Sequence, residues 1–288
     1  MSFTRLRIPL LSLAAMLAAC LPASPQEPIV VRPDPALPAL VEDGRVDHAE
    51  YDVLLRRHVD AQGLVDYAAW KAQDRPALER YLKRLAAVQP GRLADDAERL
   101  AYWINAYNAL TLHGMLAFYP TRSIKDHVSV VWGFDFWDDV RLVVDGRERS
   151  LNAIEHEVLR KLGEPRIHFA IVCASRGCPR LLNEAYTGTG IAPPPDEDGQ
   201  AAPGQLERQA QVFFADPRQF RIDRVRGEVR ISAILDWFGE DFGGSDRAKL
   251  DFARRYLASE EDRAFVARKD IELEYLDYDW SINEQPSK

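Results

Sequence analysis

The sequence predicts an α+β protein, mainly helical, a single domain built around one buried central helix with small antiparallel β-hairpins packed on it. Three observations carry this. Residues Ala97 to Tyr119 are apolar in nearly every direction around a helix, as in a helix covered on most sides. Arg75 to Val88 and Leu151 to Leu162 instead gather their apolar residues on one stripe, the pattern of helices lying on a core. Val140–Val144 and Arg147–Ser150 flank Asp145-Gly146, and Phe220–Val225 and Glu228–Ile231 flank Arg226-Gly227; alternating residues about such turn dipeptides read as two hairpins.

With 288 residues, 47% hydrophobic and 28% charged, the chain can bury a full core. Its net charge of -8 and lack of a basic tract argue against nucleic acid as a partner, because phosphate binding needs a basic surface. Ile8 to Ala19 is an apolar run of signal-peptide length, too short to anchor in a bilayer, so residues 1–19 are expected to be an export signal. Leu17-Ala18-Ala19-Cys20 resembles a bacterial lipobox. Cys20 is therefore expected to carry lipid and hold the chain to a membrane of the bacterial cell envelope, the outer one since Leu21 rather than Asp follows, with the domain in the periplasm. Prolines at 22, 25, 28, 33, 35 and 38 favour extended chain, so residues 20–45 are expected to be a tether and residues 46–288 the globular domain.

Within that domain Tyr51 to Val59 has helical spacing, and Pro90-Gly91 ends the helix that starts at Arg75. Pro120 closes the central helix, and Trp132, Phe134, Phe136 and Trp137 follow as an aromatic cluster suited to core or cleft wall. Ser150 is a fair N-cap for Leu151–Leu162, which stops at Gly163. Thr187 to Gly204, with Pro193-Pro194-Pro195 and Asp196-Glu197-Asp198, reads as a polar surface loop. Leu206–Phe214, Ala233–Phe238 and Leu250–Lys269 read as helices, and Ile271–Leu276 as a last strand.

Arg166 to Leu182 gathers two of the three cysteines and a histidine beside a glycine turn. Ile167 to Cys173 fits a buried strand or a buried helical segment, which pattern alone does not separate. Ser175-Arg176-Gly177 and Pro179 put Cys173 at the end of an element and Cys178 in a loop. A thiol mechanism needs a nucleophile, a base and a group that orients the base. Cys173 is the candidate nucleophile. His168 lies five residues from it, on the opposite side of a strand and roughly 140° away on a helix, so His156 is the better base and His168 is better placed as a structural partner of Glu155 or of the buried Asn105 and Asn108. Glu155 falls within the buried stripe of its helix and must be paired or protonated. Asn105 and Asn108 share one face of the central helix, where buried amides either bond a neighbouring backbone or orient a catalytic group.

His156, His168, Cys173 and Cys178 match no compact zinc pattern, and there is no glycine-rich phosphate cradle or Gly-x-Ser-x-Gly elbow, so no metal or cofactor is expected. In an oxidising compartment Cys173 and Cys178 could instead pair as a disulfide. Two readings follow: a cysteine-dependent hydrolase or acyl transferase acting on an amide or ester of a peptide, cell-wall fragment or small amide, and a non-enzymatic envelope scaffold that has the disulfide and binds a partner at the aromatic cluster near Trp132.

Four stretches, Tyr102-Trp-Ile-Asn-Ala-Tyr-Asn-Ala-Leu-Thr-Leu112, Ile154-Glu-His-Glu-Val-Leu-Arg160, Arg166 to Pro179 and Tyr278-Asp-Trp-Ser-Ile-Asn283, together resemble the domain-of-unknown-function family 547. The likeness covers most of residues 46 to 283. It implies that Asn105, Asn108, Glu155, His156, His168, Cys173 and Cys178 sit in family motifs, and it brings no catalytic roles with it.

Overall fold

One helix, Asp96–Phe118, runs through the middle of the protein, and every residue from Leu100 to Leu116 is buried. Asp95 caps it by accepting from the Glu98 N–H, and it ends before Pro120, which has no N–H to continue the ladder. The computed structural model describes residues 27–128, 133–195 and 200–286. The expected export signal and Cys20, together with Trp132 and Asp196–Asp198, lie outside the described residues. Among the described residues no helix is long and apolar enough to cross a membrane.

The architecture is α+β, with helices surrounding the central one and small sheets at its sides. Arg75–Ala86 lays Leu78, Tyr81, Leu82 and Leu85 against the core, and Ala49–His58 adds Tyr51, Leu54 and Leu55. Both hairpins form in the expected places: Val140–Val144 pairs antiparallel with Arg147–Ser150, and Phe220–Asp223 with Glu228–Ser232. Each gains a third strand that runs parallel, so the sheets are mixed rather than plain hairpins. Glu272–Leu276 joins Glu228–Ser232, and Ile29–Val31 joins Val140–Leu142.

That last pairing corrects the tether. Ile29-Val30-Val31 is a β-branched run that suits a sheet edge, and burial of Val31 and Leu40 outweighs the extended bias of the surrounding prolines. The chain is therefore packed well before residue 46. A second correction falls on Leu250–Lys269, which is two helices, Asp246–Arg254 and Glu260–Val266, because Ser259 caps a new start.

Two apolar clusters form the core. The larger surrounds the central helix, and a smaller one, rich in phenylalanine, lies under the Phe220–Ser232 hairpin. The cysteine segment runs along their seam: Ile167, Val172 and Cys178 belong to the first cluster and Phe169 to the second. It is neither strand nor long helix. Pro165–Phe169 makes a short 3₁₀ turn. The chain then runs irregularly because a side-chain amide takes the backbone groups of Ala170 and Val172, and among the described residues only an isolated bridge, Ser175 to Ile282, pairs it with another extended segment.

Candidate active site

Asn108 holds the approach to Cys173, donating from Nδ2 to the Ala170 carbonyl at 2.9 Å and accepting at Oδ1 from the Val172 N–H at 3.0 Å. Gln219 donates to the Gly177 and Cys178 carbonyls at 3.1 and 3.2 Å. On the other side the C-terminal segment closes over the loop. Arg176 and Gly177 donate to the Ser281 and Asp279 carbonyls, and the Asn283 N–H donates to the Ala174 carbonyl. Gly177 is required by close approach: a Cβ there would lie 2.9 Å from the Asp279 nitrogen and from the Tyr278 ring. Ala174, between the clamps, is held at φ +59°, a left-handed conformation that costs a non-glycine residue about 1–2 kcal/mol.

This loop turns two free thiols toward each other. The sulfurs of Cys173 and Cys178 are 2.7 Å apart, and the Cys173 N–H donates to the Cys178 sulfur at 2.9 Å. Tyr278 Oη lies 3.2 Å from each sulfur, and Ser175 Oγ lies 3.2 Å from that of Cys173 and 3.5 Å from that of Cys178. Burial alone would push the Cys178 thiol up, but hydrogen bonds donated by Cys173, Ser175 and Tyr278 outweigh it and bring it below the usual cysteine range. Cys173, which donates its proton to Cys178 and is partly desolvated, moves the other way. The pair thus gives up its first proton easily and its second reluctantly, as two coupled groups do.

The helix carrying Glu155 widens into a π turn over Ile154–Leu159, a rare form that recurs at functional sites. Glu155 turns inward and is buried, accepting from Tyr107 Oη at 3.3 Å. Burial is the main cause that raises its carboxyl to about 7, with the negative charge of Cys178 adding to the rise and the Tyr107 hydrogen bond opposing it. His168 Nδ1 is 3.9 Å from Glu155, and its Nε2 is 2.7 Å from Asp241. Arg160 holds Asp241 through both oxygens, keeping it ionised, so Nε2 carries the His168 proton and Nδ1 faces Glu155 bare. Burial lowers His168 to about 4, and it is neutral at pH 7.

His156 is exposed at the cleft margin, as its place on the helix predicts, but its role changes. Arg160 lies 3.0 Å from its Nδ1 and can only donate. The Nδ1 lone pair is therefore engaged and Nε2 bears the proton, leaving no free base. Among the described residues the hydrogen bonds of the Cys173 sulfur go to Cys178, Ser175 and Tyr278 and none to a histidine. Glu155, not His156, is the group placed to exchange a proton near neutrality.

Cys173, Cys178, Glu155, His156 and His168 all line one cleft of about 210 Å³, walled by Trp137, Trp237, Phe238, Tyr278 and Trp280. Asn105 and Asn108 do not reach it. Asn105 donates to the Tyr186 carbonyl at 2.7 Å and accepts from the Tyr186 N–H at 3.0 Å. Both amides are spent on backbone, so each is a structural clamp rather than a catalytic group. The aromatic cluster divides: Phe134 and Phe136 are core, and Trp137 is cleft wall. Among the described residues no group of three or more His, Cys, Asp and Glu side chains converges to hold a metal. Sequence reasoning missed Tyr107, Tyr278, Asp241 and Gln219. Tyr107 and Tyr278 stood inside quoted motifs, whereas Asp241 and Gln219 carried no local signal.

A Glu155→Gln substitution separates the carboxyl from its hydrogen bonds. A carboxyl raised in the folded state supports stability below its unfolded value and loses that support as pH climbs through the folded one. The variant should thus gain on the wild type by about 2 kcal/mol between pH 5.5 and pH 8, read from urea midpoints at the two pH values. An unchanged difference would mean that Glu155 titrates normally.

No curated protein and no solved structure matches the chain. Residues 91–193 match the family model described as "Protein of unknown function, DUF547", and the closing Tyr278–Asn283 segment, outside that match, completes the cysteine loop. This chain carries, over the residues that hold the central helix, Glu155 and both thiols, a DUF547 domain.

Proposed function

We propose that the chain is a cysteine-dependent hydrolase or acyl transferase acting on an amide or ester. The observation that carries the reading is a thiol pair ready to lose one proton, facing the same aromatic-walled cleft as a carboxyl that titrates near neutrality. Cys173, the less buried of the two, attacks the carbonyl carbon, and Cys178 shares the resulting proton and charge. Glu155, protonated below about 7, gives its proton to the departing amine or alcohol, then takes one from the water or acceptor that releases the acyl group. Aromatic walls favour a substrate with a flat or apolar acyl part, within the range of peptides, cell-wall fragments and small amides. The lipobox-like Leu17–Cys20 and the preceding apolar run support placing this work in the periplasm, on a domain held to the membrane by lipid.

p-Nitrophenyl acetate tests the reading. The reduced protein is expected to release a burst of one equivalent of nitrophenolate and to carry acetyl on the peptide containing Cys173, with both lost in Cys173→Ala. No burst, or acetyl placed elsewhere, would overturn it. The 2.7 Å sulfur separation favours one other reading, an envelope binding domain with a permanent Cys173–Cys178 disulfide and a partner in the aromatic cleft. A purified chain whose two cysteines resist both alkylation and reductant would select that reading.

A further inference from the structure

We infer that Cys173 and Cys178 form a working dithiol, which exchanges with an external disulfide in the cleft and closes reversibly into an intramolecular disulfide. The inference goes beyond acyl transfer and rests on that reading only in taking Cys173 as the attacking sulfur. Four observations point to it. The sulfurs stand 2.7 Å apart, against about 2.05 Å in a disulfide, so closure needs only a small shift. They differ in access: Cys173 is partly exposed and Cys178 buried, the arrangement of an attacking and a resolving thiol. Two hydroxyls, of Ser175 and Tyr278, serve both sulfurs and can follow the charge from one to the other. Finally, Glu155 shares the cleft and can accept a proton near neutrality.

The chemistry balances without a cofactor. Cys173 passes its proton to the Cys178 thiolate 2.7 Å away as its sulfur attacks one sulfur of R–S–S–R′; a mixed disulfide forms and R′–S⁻ leaves. Cys178 then gives that proton up by way of Glu155 to the departed R′–S⁻ and attacks the Cys173 sulfur, the protein disulfide forms, and R–S⁻ leaves. The protein loses two electrons and two protons, and the external disulfide gains both as two thiols, one proton passing by way of Glu155. An external dithiol reverses every step. In the closed form Cys173 has no free sulfur, so acyl transfer stops.

Glutathione disulfide is the probe, applied to the reduced full chain in a Cys20→Ser background that leaves two cysteines. The expected result is two equivalents of reduced glutathione released, no glutathione retained by mass, and both cysteines lost to alkylation until dithiothreitol restores them. Cys178→Ala should stop at a stable glutathione adduct on Cys173. A wild-type chain that keeps glutathione, or keeps both thiols, overturns the inference without needing either variant to fold. The acetylation burst keeps the two ideas apart. Acetylation without closure removes the exchange and leaves acyl transfer, closure without acetylation does the reverse, and absence of both removes both.

Discussion

Acidification from pH 6.5 to pH 4 is expected to unfold the protein, because three buried histidines refuse a proton that the unfolded chain accepts. His48, His113 and His168 are each lowered from 6.5 to about 4, in every case chiefly by burial. Where the folded value is depressed, the unfolded chain binds more protons between the two values, and stability falls as pH falls. Each histidine is worth on the order of 3 kcal/mol over that window. Glu155, raised to about 7, works in the opposite sense and offsets about one of the three. A net loss of roughly 6 kcal/mol is comparable to the whole stability of a typical domain. Circular dichroism against pH checks it, with the midpoint expected between the unfolded and folded histidine values. His113→Leu should remove about a third of the histidine contribution, and a fold indifferent to pH down to 4 would contradict the account.

Asn108→Ala is expected to be the most damaging single substitution near the site. It strands the Ala170 carbonyl and the Val172 N–H, both buried, and each orphaned group costs about 1–3 kcal/mol. With the truncation inside the core, the loss should reach about 3–5 kcal/mol, read from the urea midpoint. Asn105→Ala removes the equivalent pair at Tyr186 and should destabilise to a similar degree. The two part in their effect on chemistry. Val172 precedes Cys173, so loss of Asn108 should also slow the alkylation of Cys173 under native conditions, whereas loss of Asn105 should not.

Much of this was legible in the sequence for identifiable reasons. The central helix declared itself because apolar residues surround it, and the hairpins because Asp145-Gly146 and Arg226-Gly227 punctuate alternating runs. Burial of Glu155 followed from its angle on the helix, and that angle survived the change to a π turn. What stayed hidden depends on contacts distant in the chain. Ile167–Val172 has strand propensity, yet Asn108 meets its backbone from 64 positions away, and no local pattern encodes that. The engagement of the His156 lone pair depends on Arg160, four residues on, which in turn is fixed by Asp241, 81 residues from it. The Ile29–Val31 strand was masked by its prolines.

The thiol pair faces the cleft and ionises early. Iodoacetamide alkylation of the native, reduced Cys20→Ser chain, followed by mass against pH, tests it most directly. One equivalent should react with an apparent pKa clearly below the value of about 8.5 for a free cysteine, and the second should stay slow to high pH. Two thiols that react alike with the ordinary value, or neither until the protein unfolds, would contradict it.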